Sequence, residues 1–193
     1  MKNILIATNN MHKIEDFKEL FKDTCYNVLS LKDVNIEIEV EETGTTFYEN
    51  ALIKAKAVYE VANMPVISDD SGLCVYSLNL EPGVYSSRYS DGGDLKNIEK
   101  LLDNLSNKDD RRAYFACSLV YYDGKNVLSA LGKVEGEIVH EIKGVHGFGY
   151  DPVFYSYELG KTFGEATIEE KNNVSHRKRA MEILIKELVW WNI

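Results

Sequence analysis

Four consecutive apolar residues near the N-terminus, Ile4-Leu5-Ile6-Ala7, constrain the fold more than any other stretch. No polar residue alternates with them, so both faces of the segment must be buried. That is the signature of a central strand in a sheet covered on both sides. The hexapeptide Thr8-Asn9-Asn10-Met11-His12-Lys13 follows, and then Ile14, Phe17, Leu20 and Phe21 mark one face of a helix. A strand that feeds a helix through a short loop is the α/β pattern. The backbone N–H groups at such a helix start can meet an anion, and Lys13 adds a positive charge there. The loop is not a Walker loop, because it lacks the glycines and the Gly-Lys-[Ser/Thr] ending. An Asn-capped helix start explains the same residues without a ligand.

The first half continues with strands and helices in turn. Tyr26-Asn27-Val28-Leu29 reads as a second strand. Ile36, Ile38 and Val40 alternate with Glu37, Glu39 and Glu41, which predicts a half-buried strand with an acidic outer face. Thr46-x-x-Glu49 is a capping box, and Phe47, Ala51, Ala55, Val58 and Ala62 supply the packed face of its helix. Pro65-Val66-Ile67 begins a buried strand that should end at Ser68-Asp69-Asp70-Ser71-Gly72, where Ser-Gly turns the chain. Leu73 and Val75 then begin another. Leu95, Ile98, Leu101, Leu102 and Leu105 form a helical stripe.

The second half is richer in β-favouring residues. Ala113 to Tyr122 is a long strand, Asp123-Gly124 a turn, and Val127 to Val134 a returning strand that Gly136 to Val139 can extend. Val153-Phe154-Tyr155 reads as a further strand. Thr167-x-x-Glu170 marks a helix start with Lys171 in its first turns. Ser175 caps the last helix, whose inner face carries Ala180, Met181, Leu184, Ile185 and Leu188. Trp190 and Trp191 are expected to pack that helix or a subunit contact.

The chain has 193 residues and a formal net charge of −9. That length fits one domain or two closely joined lobes. The acidic balance argues against nucleic acid polymers as partners, which need a basic surface, but leaves room for a small phosphorylated ligand. Cys25, Cys74 and Cys117 are far apart and odd in number, as in reduced cytosolic proteins. No long apolar segment suggests a membrane span, and Lys13 and Glu15 interrupt any signal-peptide pattern. The expected location is the cytoplasm.

Some residues look chemical. Adjacent carboxylates at Asp69 and Asp70 oppose each other's ionisation. A bound cation would relieve that, which points to Mg²⁺-dependent phosphate chemistry around Asp70; a solvated turn is the plainer alternative. Glu41, at the predicted strand end, could join Asp70 at a metal. Lys13, His176 and Arg177 sit at helix N-termini, where the helix dipole disfavours cations, so a polyanionic ligand would account for them. Phe148 and Tyr150, set among glycines, suit stacking on a planar base or packing in the core.

These segments occur in one order: Thr8-Asn9-Asn10-x-x-Lys13, Glu41-Glu42-Thr43-Gly44, Glu49-Asn50-Ala51, Ser68-Asp69-Asp70-Ser71-Gly72, Pro82 to Tyr89, Gly147-Phe148-Gly149-Tyr150-Asp151-Pro152, Glu170-Lys171 and Ser175-His176-Arg177. As a series, spread over nearly the whole chain, they resemble the inosine/xanthosine triphosphate pyrophosphatase family. The resemblance implies an α/β fold with an elongated central mixed β-sheet flanked by helices. It also implies one domain of two lobes over residues 1–193, with the active-site cleft between the lobes, and a homodimer. It implies Mg²⁺-dependent hydrolysis of inosine, deoxyinosine and xanthosine triphosphates to the monophosphate and pyrophosphate. By position, Thr8, Asn9, Asn10, Met11, His12 and Lys13 would hold the triphosphate. Asp70 would be the catalytic residue and, with Glu41, a metal ligand. Ser71 would contact substrate, and Phe148, Gly149, Tyr150, Asp151, Lys171, His176 and Arg177 would form the nucleoside pocket. The family commonly has Gly where this chain has Asn9.

Two other functions fit parts of this pattern. A nucleotide sensor would keep the pocket without turnover. A phosphatase using an aspartyl-phosphate would release orthophosphate, although Asp69-Asp70 lacks the Asp-x-Asp spacing expected of one.

Overall fold

The computed structural model describes residues 1–191; residues 192 and 193, and the side chains of His12 and Trp191, lie outside that description. In chain order the elements are β1 (Lys2–Ile6), α1 (Met11–Phe21), β2 (Tyr26–Ser30), α2 (Phe47–Ala62), β3 (Val66–Val75), α3 (Gly93–Asn104), β4 (Arg112–Tyr122), β5 (Val127–Ile138), β6 (Phe154–Ser156), β7 (Lys161–Thr162), α4 (Ile168–Val174) and α5 (His176–Trp191). The strands are hydrogen-bonded in the order β2-β1-β3-β4-β5-β6-β7. β1 is parallel to β2 and β3, whereas β6 is antiparallel to β5 and β7. The sheet is therefore mixed and flanked by helices, as anticipated. No helix among the described residues is long and apolar enough to cross a membrane.

The chain divides into two compact units. The first comprises Met1–Asp70, Cys117–Gly132 and Arg179–Ile193, and the second Ser71–Ala116 and Lys133–Lys178.

In the first unit, β1 feeds two apolar clusters. Ile4 and Ile6 pack with Phe17 and Phe21 of α1 and with Ala180, Met181, Leu184 and Leu188 of α5. Leu5 and Ala7 pack with Ala51, Ala55 and Val58 of α2. Alternate side chains of an extended segment point to opposite faces, so the unbroken apolar run serves both clusters. α2 begins with the predicted capping box: Thr46 Oγ1 accepts the Glu49 N–H at 3.1 Å, and Glu49 Oε2 accepts the Thr46 N–H at 3.1 Å.

Two expectations fail in this region. Residues 36–40 form no strand. Ile36 and Ile38 do pack against the cluster around Leu5 and Ala51, with Glu37 and Glu39 exposed. The alternation is that of an extended segment whose side chains pack without a backbone ladder. Likewise Ser68–Gly72 is not a turn, because β3 runs unbroken from Val66 to Val75. Ser and Asp make turns by bonding their own backbone. Here Ser68 Oγ donates instead to the Ala51 carbonyl at 2.5 Å, and Asp69 binds Lys13.

The second unit has its own core, built from Leu73 and Val75, Ile98, Leu101 and Leu105 of α3, and Phe115, Phe154 and Phe163. Leu95 is 65% exposed rather than part of the stripe. Asn97 takes the inward position in that turn. Its Oδ1 accepts the Ser90 N–H at 2.7 Å and the Ser90 hydroxyl at 2.8 Å. α4 opens with the predicted Thr167/Glu170 capping box, and Ser175 Oγ accepts the Lys178 N–H at 3.1 Å to cap α5.

Candidate functional site

The first unit holds a charged group around the adjacent carboxylates. Asn10 immediately precedes α1; its Oδ1 accepts the Lys13 N–H at 3.3 Å, while Thr8 Oγ1 accepts the Asn10 N–H at 3.2 Å. Thr8 is half-buried, and Asn9, Asn10 and Met11 are exposed. The side chain of His12, also expected at a triphosphate, is outside the described residues. Among the described residues the non-glycine positions with positive φ are Asn35, Asn63, Asn79 and Leu80. Asn9 is not one of them, so the loop does not call for the left-handed backbone that a glycine would provide.

Asp69 and Asp70 divide, as neighbours along a strand do. Asp69 is 2% exposed and pairs with Lys13, Nζ to Oδ2 2.6 Å. Asp70 is half-buried and accepts from Asn50 Nδ2 at 3.0 Å. Asn50, fully buried, accepts the Gly44 N–H at 2.8 Å through Oδ1. Lys54 Nζ donates to the Asp69 carbonyl at 2.8 Å and pairs with Glu42 at 2.5 Å.

Burial pushes the Asp70 carboxyl up to about 6. The Asn50 donor works against that shift, the charges of Glu42 and Asp69 add to it, and Lys54 opposes it. Burial also works against the charge on Lys54, but Asp69 and Glu42 outweigh it and hold the ammonium above its ordinary value. Glu41 is exposed and makes no ion pair among the described residues; the glutamate whose charge reaches Asp70 is Glu42, one residue on and half-buried.

Asn50, Lys54, Glu42 and Asp69 were not singled out as site residues from sequence. Three of them stand in segments quoted for the resemblance, Glu41-Glu42-Thr43-Gly44, Glu49-Asn50-Ala51 and Ser68-Asp69-Asp70-Ser71-Gly72. Lys54 carries no such signal.

No group of three or more His, Cys, Asp or Glu among the described residues gathers into a metal cage. A cation here would use one or two carboxylates and complete its shell from water or a ligand. Mg²⁺ suits that arrangement, because it takes hard oxygen donors and is commonly held by one or two carboxylates plus substrate phosphates. The half-buried Asp70 supplies such a donor.

The second unit contains a cavity of about 150 Å³. Ser71, Phe148, Gly149, Tyr150, Asp151, Lys171, His176 and Arg177 all line it, so the structure gathers eight predicted positions around one space. Asp151 is 2% exposed. Its Oδ2 accepts the Phe148 N–H at 2.9 Å and pairs with Lys171. Lys171 Nζ also lies over the Phe148 ring, 4.6 Å from its centroid. Phe148 is 56% exposed and thus not a core residue. Tyr150 is: its ring joins the unit's core, and its hydroxyl donates to the Ser86 carbonyl at 2.8 Å. Burial raises that phenol above its ordinary range. His176 stacks on Phe115, with centroids 5.1 Å apart and planes 14° from parallel. The cavity therefore offers an exposed aromatic face, two cationic donors and a committed acid.

The protein-family model described as the Ham1 family matches residues 4–187. A Staphylococcus epidermidis protein named dITP/XTP pyrophosphatase is 48% identical over 190 residues, covering 97% of this chain and 96% of its own. One from Staphylococcus aureus with the same name is 45% identical over 188 residues, covering 95% of each. Among solved structures, the Staphylococcus aureus Ham1 protein superposes with a TM-score of 0.90 at 45% identity, covering 97% of this chain and 98% of that one. A HAM1 protein from Coxiella burnetii gives 0.92 at 37% identity, covering 98% and 99%. With sequence, fold and nearly full length in agreement, this chain belongs to the Ham1 family.

Proposed function

We infer that this chain hydrolyses non-standard purine nucleoside triphosphates (ITP, dITP and XTP) to the monophosphate and pyrophosphate, and so removes them from the nucleotide pool. The observation that carries this reading is the state of Asp70. Without a bound cation, a carboxyl held near 6 is ionised at neutral pH and more basic than an ordinary aspartate. It can take a proton from water as that water attacks phosphorus. Family membership, and the pyrophosphatase names of the relatives, support the same reading.

In the first unit, Thr8 to Lys13 bind the triphosphate through the α1 N-terminus and the Lys13 ammonium. Asp70 is the base. Asn50 orients its carboxylate from one side, and Lys54 keeps Glu42 and the Asp69 carbonyl in place. Asp70 and Glu41 would hold Mg²⁺, which, when bound, neutralises phosphate charge. Little covalent work is then left to the protein, and positioning and charge stabilisation dominate.

In the second unit, Phe148 stacks on the base. Lys171 and Arg177 are donors only, which suits the 6-oxo acceptor of hypoxanthine and xanthine. Adenine presents a donor amine there, and a buried donor left facing a donor costs about 1–3 kcal/mol. Asp151 serves by aligning Lys171 and the Phe148 peptide; Ser71 and His176 complete the wall. The enzyme is proposed to act in the cytoplasm as a homodimer. Its three cysteines form no disulfide among the described residues, which suits a reducing compartment.

Incubation with ITP and Mg²⁺, followed by chromatography of the products, tests the reaction. Inosine monophosphate and pyrophosphate are the expected products. Orthophosphate alone, or no release at all, overturns the assignment.

A further inference from the structure

We propose that Asp94 is a positioning residue of the base pocket, a clamp that holds the Phe148–Gly149 peptide and so keeps the exposed Phe148 ring in place for a purine. Asp94 belongs to no segment singled out from the sequence. It stands in the first turn of α3, and it lines the same cavity as Phe148 and Gly149. Its Oδ2 accepts the Gly149 N–H at 2.7 Å.

The loop needs such a hold. Gly147 and Gly149 flank Phe148 with φ of +78° and +58°, conformations that favour glycine. Glycine loses more conformational freedom on ordering than any other residue. The Phe148 ring gains little from burial, since more than half of it is exposed. Apart from the Lys171 ammonium over its face, its position therefore depends on its backbone. The Phe148 N–H goes to Asp151 at 2.9 Å, and the next N–H along goes to Asp94. Asp151 lies in the same loop, three residues on. Asp94 lies 55 residues earlier in the chain and ties the loop to a helix. Bonds to an ionised acceptor are stronger than neutral ones.

A second explanation of Asp94 is electrostatic: an acid in the first turn of a helix favours the helix. That role does not require the carboxylate to meet Gly149, and it predicts lost stability without a change in base binding.

The inference rests on the reading that this cavity takes the purine base. Steady-state kinetics with ITP, inhibition by inorganic tripolyphosphate, and thermal melting of Asp94→Ala and Asp94→Asn test it. For Asp94→Ala, KM for ITP should rise about tenfold, with kcat within about twofold of the parent and the tripolyphosphate inhibition constant unchanged. Asp94→Asn, which keeps an acceptor, should recover most of the loss. If the alanine variant melts too low to assay, Asp94→Ser, which suits a helix start but is too short to reach Gly149, should show the same KM effect. An unchanged KM, or an equal loss of tripolyphosphate affinity, overturns the clamp. If the parent protein releases no pyrophosphate from ITP, the pyrophosphatase assignment fails by itself. Calorimetric binding of inosine monophosphate to parent and Asp94→Ala then tests the clamp alone, and equal affinities would refute it.

Discussion

Replacing Asp70 with asparagine should stabilise the metal-free protein while removing its activity. In the unfolded chain this carboxyl ionises at its ordinary 3.8, and in the folded chain at about 6. Between those values the folded state binds more protons, so its stability falls as pH rises from 3.8 to about 6 and then levels off. At about 1.4 kcal/mol for each factor of ten, the ionised carboxylate costs the folded chain about 3 kcal/mol at pH 8. The neutral amide of the Asp70→Asn variant would carry no such cost and could still accept from Asn50. For a chain of this length, 1 kcal/mol moves the melting temperature by about 2–4 °C, so the variant should melt about 6–12 °C higher at pH 8 in EDTA. At pH 4.5 the carboxyl is protonated in the folded chain and partly so in the unfolded one, and the advantage should shrink to about 1 kcal/mol. Circular dichroism melts at the two pH values measure both. Mg²⁺ should raise the melting temperature of the parent and leave the variant nearly unmoved, while turnover of ITP falls by at least about a hundredfold. Equal melting temperatures at pH 8, or a gap as wide at pH 4.5, would refute the reasoning.

Two further substitutions probe one unit each. Lys13→Gln takes the cation from the buried Asp69 carboxylate and should destabilise the fold by about 3 kcal/mol. Urea unfolding would show this, and a change below about 0.5 kcal/mol would mean that the pair contributes nothing. Gly147→Ala forces an L-residue to a φ of +78° and drives its Cβ into the Asp151 carboxylate. KM for ITP should rise with far-UV dichroism unchanged, and a parent-like KM would show that this turn does not shape the pocket.

Local signals were legible in the sequence; pairings across long separations were not. The Ile4–Ala7 run, both capping boxes and the Ser175 cap depend on residues a few positions apart, and each forms as read. The Ser68–Gly72 segment has turn composition, yet lies within a strand because its side chains find partners elsewhere: Lys13 is 56 residues from Asp69, and Ala51 is 17 from Ser68. Ile36 to Val40 shows strand periodicity, but a ladder needs a neighbouring strand that periodicity cannot reveal. Leu95 fits the α3 stripe by spacing and loses the inward place to Asn97, whose partners at 86, 87 and 90 lie outside the helix. At the candidate site, the positions around the Phe148 cavity could be named as a set. The surroundings of Asp70 could not, since Asn50 and Lys54 read as ordinary helix residues until α2 is folded beside β3.

The Asn50 amide has a consequence for how this protein ages. Its two ends differ: the oxygen takes the Gly44 N–H and the nitrogen gives to Asp70. Hydrolysis of that amide to a carboxylate would change the shape by almost nothing, keep the bond to Gly44, and turn the donor facing Asp70 into a second anion. Like charges in contact push a carboxyl pKa upward, so the converted molecule would hold Asp70 protonated at neutral pH. It would remain folded and lack the base proposed for it. Complete burial of Asn50 within the first turns of α2 keeps water and backbone motion away from the amide, so the shelter that positions Asp70 also protects it from this slow chemical damage.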